Sequence, residues 1–388
     1  MLMKNVLLVG IEGVYNYGCE AIVRGTVKIL KDIDSEIKVS YASYNYADDV
    51  ARLAGCDVNI IERRHFKRWG LRNIVRKLLS CLNIKLQMPY DDISLFEGFD
   101  TVFSIGGDIY TLTSDGGYNK ELPLLLEKCR KVGAKYILWG ASVGKFEKNP
   151  QALSFYKEHL RKIDAIVVRE NVSYEYLKSL GLDDTLYMAP DPAFSVPCEN
   201  LPSVDGPKPV VGINLSPHSA IYIYGSTEEA KKRQCDAIVR LIETMQCHIM
   251  LLPHVISADA NDNDLSYMRE IRDKIPDVYR DKVELLDADF GFVGLKEYIA
   301  KCDFVIAARM HCAINAICIG VPTLFLSYSE KAKGMSEFVY GNKQGVLSLN
   351  EFEDTEIVAA RLGMLYGKHI DLPQVRSFDY KKLLSQLL

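Results

Sequence analysis

Between Pro190 and Pro209 the chain places six prolines in twenty residues. Proline fixes φ and lacks a backbone N–H, so this stretch cannot run as a helix or an interior strand. It divides 388 residues into two halves of similar size, each about as long as one ordinary domain. Both halves alternate short apolar runs with amphipathic segments, which is the pattern of an α/β fold. The expected fold class is therefore α/β, with two Rossmann-like domains facing a cleft. The N-terminal domain should occupy 1–195, a proline-rich linker 196–209 and the C-terminal domain 210–370. A last helix within 371–388 should cross back onto the first domain.

In the first half, strands fit Asn5–Val9, Lys38–Ser43, Thr101–Ile105, Tyr136–Ala141, Ala165–Arg169 and Thr185–Met188, with helices at Cys19–Lys31, Leu122–Val132, Pro150–Lys162 and Ser173–Leu180. The second half fits strands at Val210–Leu215, His248–Leu252, Val283–Leu285, Phe304–Ala307 and Thr323–Leu326. Its helices fit Thr227–Met245, Asp264–Lys274, Gly294–Lys301, Cys312–Ile319 and Tyr380–Leu388.

Composition narrows the function. Net charge is −4, so the global basic excess of a nucleic-acid binder is absent. The ten cysteines form no C-x-x-C pair and no zinc spacing, and several sit in apolar runs as small hydrophobes. Together with the lack of a signal-peptide pattern, this points to a reducing cytoplasm. No apolar run reaches the roughly 18 residues that span a bilayer.

Residues 62–82 break the rhythm. Leu71, Ile74, Val75, Leu78, Leu79 and Leu82 share one helical face, and seven Arg or Lys lie between 63 and 77. Two readings fit. One is a helix lying on the inner face of an anionic membrane; the other is an ordinary helix packing its stripe on the core.

The chemistry concentrates at Asp303-Phe-Val-Ile-Ala-Ala-Arg309-Met310-His311. A buried strand ends there and a helix begins. Anions bind at such a junction, because free N–H groups and the helix dipole point into it. Arg309 adds a fork for carboxylate or phosphate, and His311 adds a group that moves a proton near neutral pH. The next strand delivers Lys331 to the same edge.

Other strand ends add candidates. Asn16 and Gly18 open the first helix, and Gly106, Gly107 and Asp108 follow the third strand. Neither run is G-x-G-x-x-G, so no dinucleotide fingerprint is present. Arg169 ends a strand of the first half and supplies a second cation. Asp191 and His254 also lie beyond strands, and His254 fits a structural role better than proton transfer. Asp287-Ala-Asp289 matches a D-x-D pattern too common to imply a metal, and no metal or cofactor is expected.

Taken in order, Tyr15-Asn-Tyr-Gly-Cys-Glu-Ala21, Ile105-Gly-Gly-Asp108, Trp139-Gly-Ala-Ser-Val-Gly144, Val168-Arg-Glu-Asn-Val-Ser173, Ala189-Pro-Asp-Pro-Ala-Phe194, Ala308-Arg-Met-His311 and Tyr328-Ser-Glu-Lys331 resemble the polysaccharide pyruvyl transferase family. The resemblance implies a GT-B-like fold and transfer of pyruvate from phosphoenolpyruvate, a co-substrate, to a sugar as a ketal. It maps the family's Arg-x-His onto Arg309 and His311, and its earlier arginine onto Arg169. Cys19 stands where the family often carries Asp. His311 is then the expected general acid, with Arg169, Arg309 and Lys331 holding carboxylate and phosphate. Met310, Gly106, Gly107, Asn16 and Gly18 would line the substrate, and Asp108 or Glu20 would accept the sugar's proton. The acceptor would be a glycan, lipid-linked if 62–82 meets a membrane. Two other readings share the fold: a glycosyltransferase with a nucleotide-sugar donor, and a non-enzymatic polysaccharide-binding module.

Overall fold

The computed structural model describes residues 4–63, 75, 78–79, 93–113, 115–197, 209–327, 330–365, 370 and 372–387. Within them lie two parallel sheets. The first domain carries β1 (Asn5–Val9), β2 (Lys38–Ser43), β3 (Asn59–Glu62), β4 (Thr101–Ile105), β5 (Lys135–Ala141), β6 (Ala165–Val168) and β7 (Leu186–Met188), interleaved with α1 (Tyr17–Ile33), α2 (Tyr46–Arg52), α3 (Leu122–Lys131), α4 (Pro150–Leu160) and α5 (Asn171–Ser179). The second carries β8 (Val210–Asn214), β9 (His248–Leu251), β10 (Val283–Leu285), β11 (Phe304–Ala307), β12 (Thr323–Leu326) and β13 (Val346–Leu347). Its helices are α6 (Pro217–Tyr224), α7 (Thr227–Met245), α8 (Asp264–Lys274), α9 (Gly291–Ile299), α10 (Met310–Cys318), α11 (Glu330–Tyr340), α12 (Leu349–Phe352), α13 (Thr355–Leu365), α14 (Pro373–Arg376) and α15 (Tyr380–Leu387).

Strand order is β3-β2-β1-β4-β5-β6-β7 in one sheet and β10-β9-β8-β11-β12-β13 in the other. Both are doubly wound. The direction of winding reverses between β1 and β4, and again between β8 and β11. At such a switch point the loops leaving adjacent strands diverge and open a crevice at the carboxyl ends of the strands. The loops here are 10–16 and 106 onward in one domain, and 308–309 in the other. The central strands read as unbroken apolar runs because both faces are covered: Val6, Leu7, Leu8 and Val9 have no solvent exposure.

Two strands fall outside the expected set. β3 pairs on the edge of β2 with half-exposed residues, and β13 is two residues long. Their polar or brief sequences carry no alternation to read. Helices including α2, α6 and α11 likewise fall outside the expected set. Most of the segment 62–82 and of the linker 196–209 lies outside the described residues, and with it the helix read as either membrane-facing or core-packing. Among the described residues no helix is long and apolar enough to cross a membrane.

The last helix, α15, buries Leu383, Leu384 and Leu387 in the core of the first domain. Lys135 Nζ donates to the Leu387 carbonyl at 3.2 Å, and the Tyr380 hydroxyl donates to the Pro190 carbonyl at 3.3 Å. The chain thus leaves the first domain, builds the second and returns. Truncating Leu384, which is 2% exposed, to alanine should cost about 2–5 kcal/mol. A urea melt of Leu384→Ala should show that loss in the first domain's transition; a midpoint within error of wild type would mean the returning helix is dispensable.

Candidate functional site

Helix α10 begins where β11 ends. Arg309 is its N-cap residue in extended conformation, and Met310 and His311 occupy its first turn. The amides of a first turn have no intrahelical acceptor and face the crevice. The Met310 side chain is half-buried against the core of the second domain, so any ligand contact from this residue would come from its backbone N–H.

His311 reaches the first domain. Its Nε2 lies 3.4 Å from Asp191 Oδ2 and 3.3 Å from Arg169 Nη1. Asp191 has no solvent exposure, and Arg169 is 3% exposed. Arg169 Nη1 donates to Asp191 Oδ2 at 2.6 Å and its Nε donates to Ser142 Oγ at 2.9 Å. Asp191 Oδ1 accepts from the Ala193 amide at 2.9 Å. Burial alone would raise the Asp191 carboxyl, but Arg169, then His311, outweigh it and hold it well below the usual carboxylate range. The result is a buried ion pair, Arg169 with Asp191, in contact with the His311 ring.

Two glycines make the approach of these groups possible. A Cβ on Gly18 would stand 2.5 Å from His311 Nδ1, and one on Gly107 would stand 2.4 Å from Arg169 Nη2. Both distances are shorter than any real contact, so any other residue would displace the ring or the guanidinium. Gly106 serves the turn before it, at φ 126°.

Lys331, in the first turn of α11, donates across the cleft to Asp108 Oδ1. Lys331, then Arg169 and His311, hold the exposed Asp108 carboxyl below its ordinary value.

Several expected site residues do other work. The Arg309 guanidinium lies against the 254–264 loop. Its Nη2 donates to Asp262 at 2.6 Å and to Asp264 at 2.9 Å, and its Nε donates to Asp264 at 3.1 Å. Asp264 is fully buried and also accepts from the amides of His254 and Val255. Arg309 therefore fastens the 254–264 loop to the start of α10. Glu20 is 1% exposed, and its oxygens accept from Arg24 Nε at 2.8 Å and from the Phe292 amide at 2.8 Å. This ties α1 to α9. The Asn16 side chain caps α1 by accepting from the Gly18 amide at 2.9 Å, while its backbone bridges to Val255 of the other domain. Cys19 is inert: burial first, then the charge of Asp108, pushes its thiol up to about 12. His254 is fully buried between Tyr17 and Phe292, with ring centroids 5.3 and 5.9 Å away. Burial, helped by the charges of His311 and Arg309, drives it well below its ordinary value.

The structure also shows contacts that local sequence patterns do not. The Tyr17 hydroxyl donates to Asp289 at 2.7 Å, and Arg52 pairs with the same carboxylate. The partners are more than 200 positions apart, so no spacing signals them. Among the described residues no three His, Cys, Asp or Glu side chains group as metal ligands.

A model of the family described as polysaccharide pyruvyl transferase matches residues 16–330. No curated protein sequence matches the chain. Solved structures share its fold. Anabaena HepE in complex with UDP and glucose is 12% identical over 100% of this chain and 98% of its own, with a TM-score of 0.57. The UDP-GlcNAc 2-epimerase of Methanocaldococcus jannaschii is 11% identical over 99% of each chain, with a TM-score of 0.61. At these identities the likeness establishes the two-domain GT-B-like architecture.

Replacing Asp191 by Asn should leave the Arg169 charge buried without its counter-ion and cost about 3–5 kcal/mol at neutral pH. A carboxyl whose folded pKa is depressed contributes stability above its unfolded pKa and loses it as pH falls through the folded one. The deficit of Asp191→Asn against wild type should therefore persist at pH 7 and shrink only in strong acid. Equal urea midpoints at pH 7 would contradict the pairing. Gly18→Ala should retain the fold, shown by an unchanged circular dichroism spectrum, while displacing His311 and cutting turnover about 10²-fold.

Proposed function

The chain belongs to the polysaccharide pyruvyl transferase family, and on that premise we propose that it moves pyruvate from phosphoenolpyruvate to two hydroxyls of one sugar in a surface-polysaccharide precursor, closing a cyclic ketal. The observation that supports this reading is the convergence of Arg169, Asp191 and His311 beside the Lys331–Asp108 ion pair in one interdomain crevice.

Phosphoenolpyruvate carries a carboxylate and a phosphate, and its C3 must gain a proton before C2 becomes electrophilic. His311 donates that proton. Asp191, ionised and held by Arg169, stabilises the imidazolium before the step and fixes the ring's direction. The carboxylate binds near the Arg169 guanidinium and the first-turn amides of α10. The phosphate displaces Asp108 from Lys331. That exchange frees the Asp108 carboxylate at the moment a cation is occupied, so Asp108 becomes the base for the first sugar hydroxyl. This hydroxyl adds to C2 and forms a phosphorylated ketal. The second hydroxyl then displaces inorganic phosphate, breaking the C2–O bond, and its proton leaves with phosphate or solvent. Neither step requires a redox partner.

A glycosyl transfer from a nucleotide sugar remains the rival on this fold, since neighbours were solved with UDP. The test is phosphate release from phosphoenolpyruvate in the presence of neutral oligosaccharides, run beside UDP-sugars as donors. We expect sugar-dependent phosphate release that drops about 10²–10⁴-fold in His311→Ala. Lys331→Met should chiefly raise KM for phosphoenolpyruvate. Near-wild-type rates in His311→Ala would remove the acid role, and consumption of a UDP-sugar with none of phosphoenolpyruvate would overturn the reading.

A further inference from the structure

The same cleft holds a cavity of about 610 Å³ on the side of β2 and β10, which the chemistry above does not use. It lies between Tyr15, Asn45, Asp48 and Arg52 of the first domain and Ile256, Asp289 and Phe290 of the second. Its size is within the range of about 300–1,000 Å³ that small-molecule sites occupy.

The charged groups in its wall are largely matched to one another. Glu20 pairs with Arg24 at 2.8 Å and with Arg52 at 3.6 Å, and Arg52 also pairs with Asp289. Arg24 donates besides to the Arg52 carbonyl at 2.6 Å. A phosphate or diphosphate entering here would find each cation already engaged. Three other groups are unengaged among the described residues: the Tyr15 hydroxyl, the Asn45 side-chain amide and the Asp48 carboxylate. Asn45 is the N-cap residue of α2, yet its side chain makes no capping bond, although N-cap asparagines ordinarily make one. Among the described residues of the wall the single unpaired charge is Asp48, which repels anions and accepts hydroxyls. Phe290 adds a half-buried ring. A carboxylate, an amide, a phenol and an aromatic face together match an uncharged, hydroxyl-rich ligand.

We propose that this cavity is a saccharide subsite that holds a neutral sugar residue of the acceptor, next to the one that reacts. Only its naming as an acceptor subsite rests on the pyruvyl-transfer reading. The spacing follows from the chain itself. Tyr15 lines the cavity and Gly18 abuts the His311 ring. Three residues span at most about 10 Å, which leaves room for one or two sugar units between ring and cavity. The preferred acceptor is then a disaccharide or longer, uncharged at the distal residue.

An array of immobilised neutral di- and trisaccharides built from glucose, galactose, mannose and their N-acetylated forms tests this with the full-length chain and no phosphoenolpyruvate. We expect retention of a subset of these glycans, unaffected by added UDP. Asn45→Ala/Asp48→Ala should weaken that retention at least tenfold, and Tyr15→Phe should weaken it to a smaller degree. Circular dichroism melts should confirm that the variants fold; among the described residues none of the three side chains makes a hydrogen bond or ion pair. Failure to retain any neutral glycan, retention indifferent to both variants, or displacement by UDP would each overturn the proposal. Because no turnover is read, retention that behaves as expected while phosphoenolpyruvate is never consumed would sustain the saccharide site and discard the pyruvyl reading.

Discussion

Asp191 has no solvent exposure, and Arg169 delivers a guanidinium to it at 2.6 Å. A charge so buried persists only with a partner of opposite sign and with its remaining lone pairs bonded. Arg169 and the Ala193 amide meet that demand, and His311 completes it from the other domain. The pair comes from two loops at the carboxyl ends of β6 and β7, so the requirement fixes where those loops end. It also fixes where α10 must begin for its second residue to reach the carboxylate. Gly18 and Gly107 have no side chain because this assembly occupies the space where one would stand.

The two domains are joined by more than this contact. The backbone of 15–17 runs against 254–256: the Tyr17 amide donates to the His254 carbonyl at 3.1 Å, and Asn16 bridges to Val255. Beside it, Tyr17 and Arg52 converge on Asp289, and Glu20 accepts from the Phe292 amide. These bonds tie the two domains together on one flank of the cleft. The opposite flank carries the Lys331–Asp108 ion pair, whose members are the groups a dianionic ligand would separate.

The architecture was largely legible in the sequence because parallel strands covered on both faces read as unbroken apolar runs. Helices Thr227–Met245 and Asp264–Lys274 have the bounds their amphipathic spacing indicates. β3 and β13 were not legible, since an edge position needs no apolar alternation and a two-residue strand has no period. Within the site, Arg169 and His311 stand at strand ends that the winding of the sheets brings to one crevice. The contacts that were not legible share one cause. Arg309 and Glu20 stand at positions that local spacing can place, but their partners Asp262, Asp264 and Phe292 approach from distant segments. A residue's place in its own element is local; the identity of its counter-ion is a property of the fold.

The central claim is that this crevice joins the C2 carbon of phosphoenolpyruvate to sugar oxygen. The direct measurement is carbon NMR of a reaction between [2-13C]phosphoenolpyruvate and a neutral oligosaccharide, catalysed by the purified chain. The account predicts that the labelled enol carbon disappears and reappears as a ketal carbon correlated with two sugar positions, in step with inorganic phosphate. A label that stays in phosphoenolpyruvate with every oligosaccharide, while the same chain consumes a UDP-sugar, would contradict it.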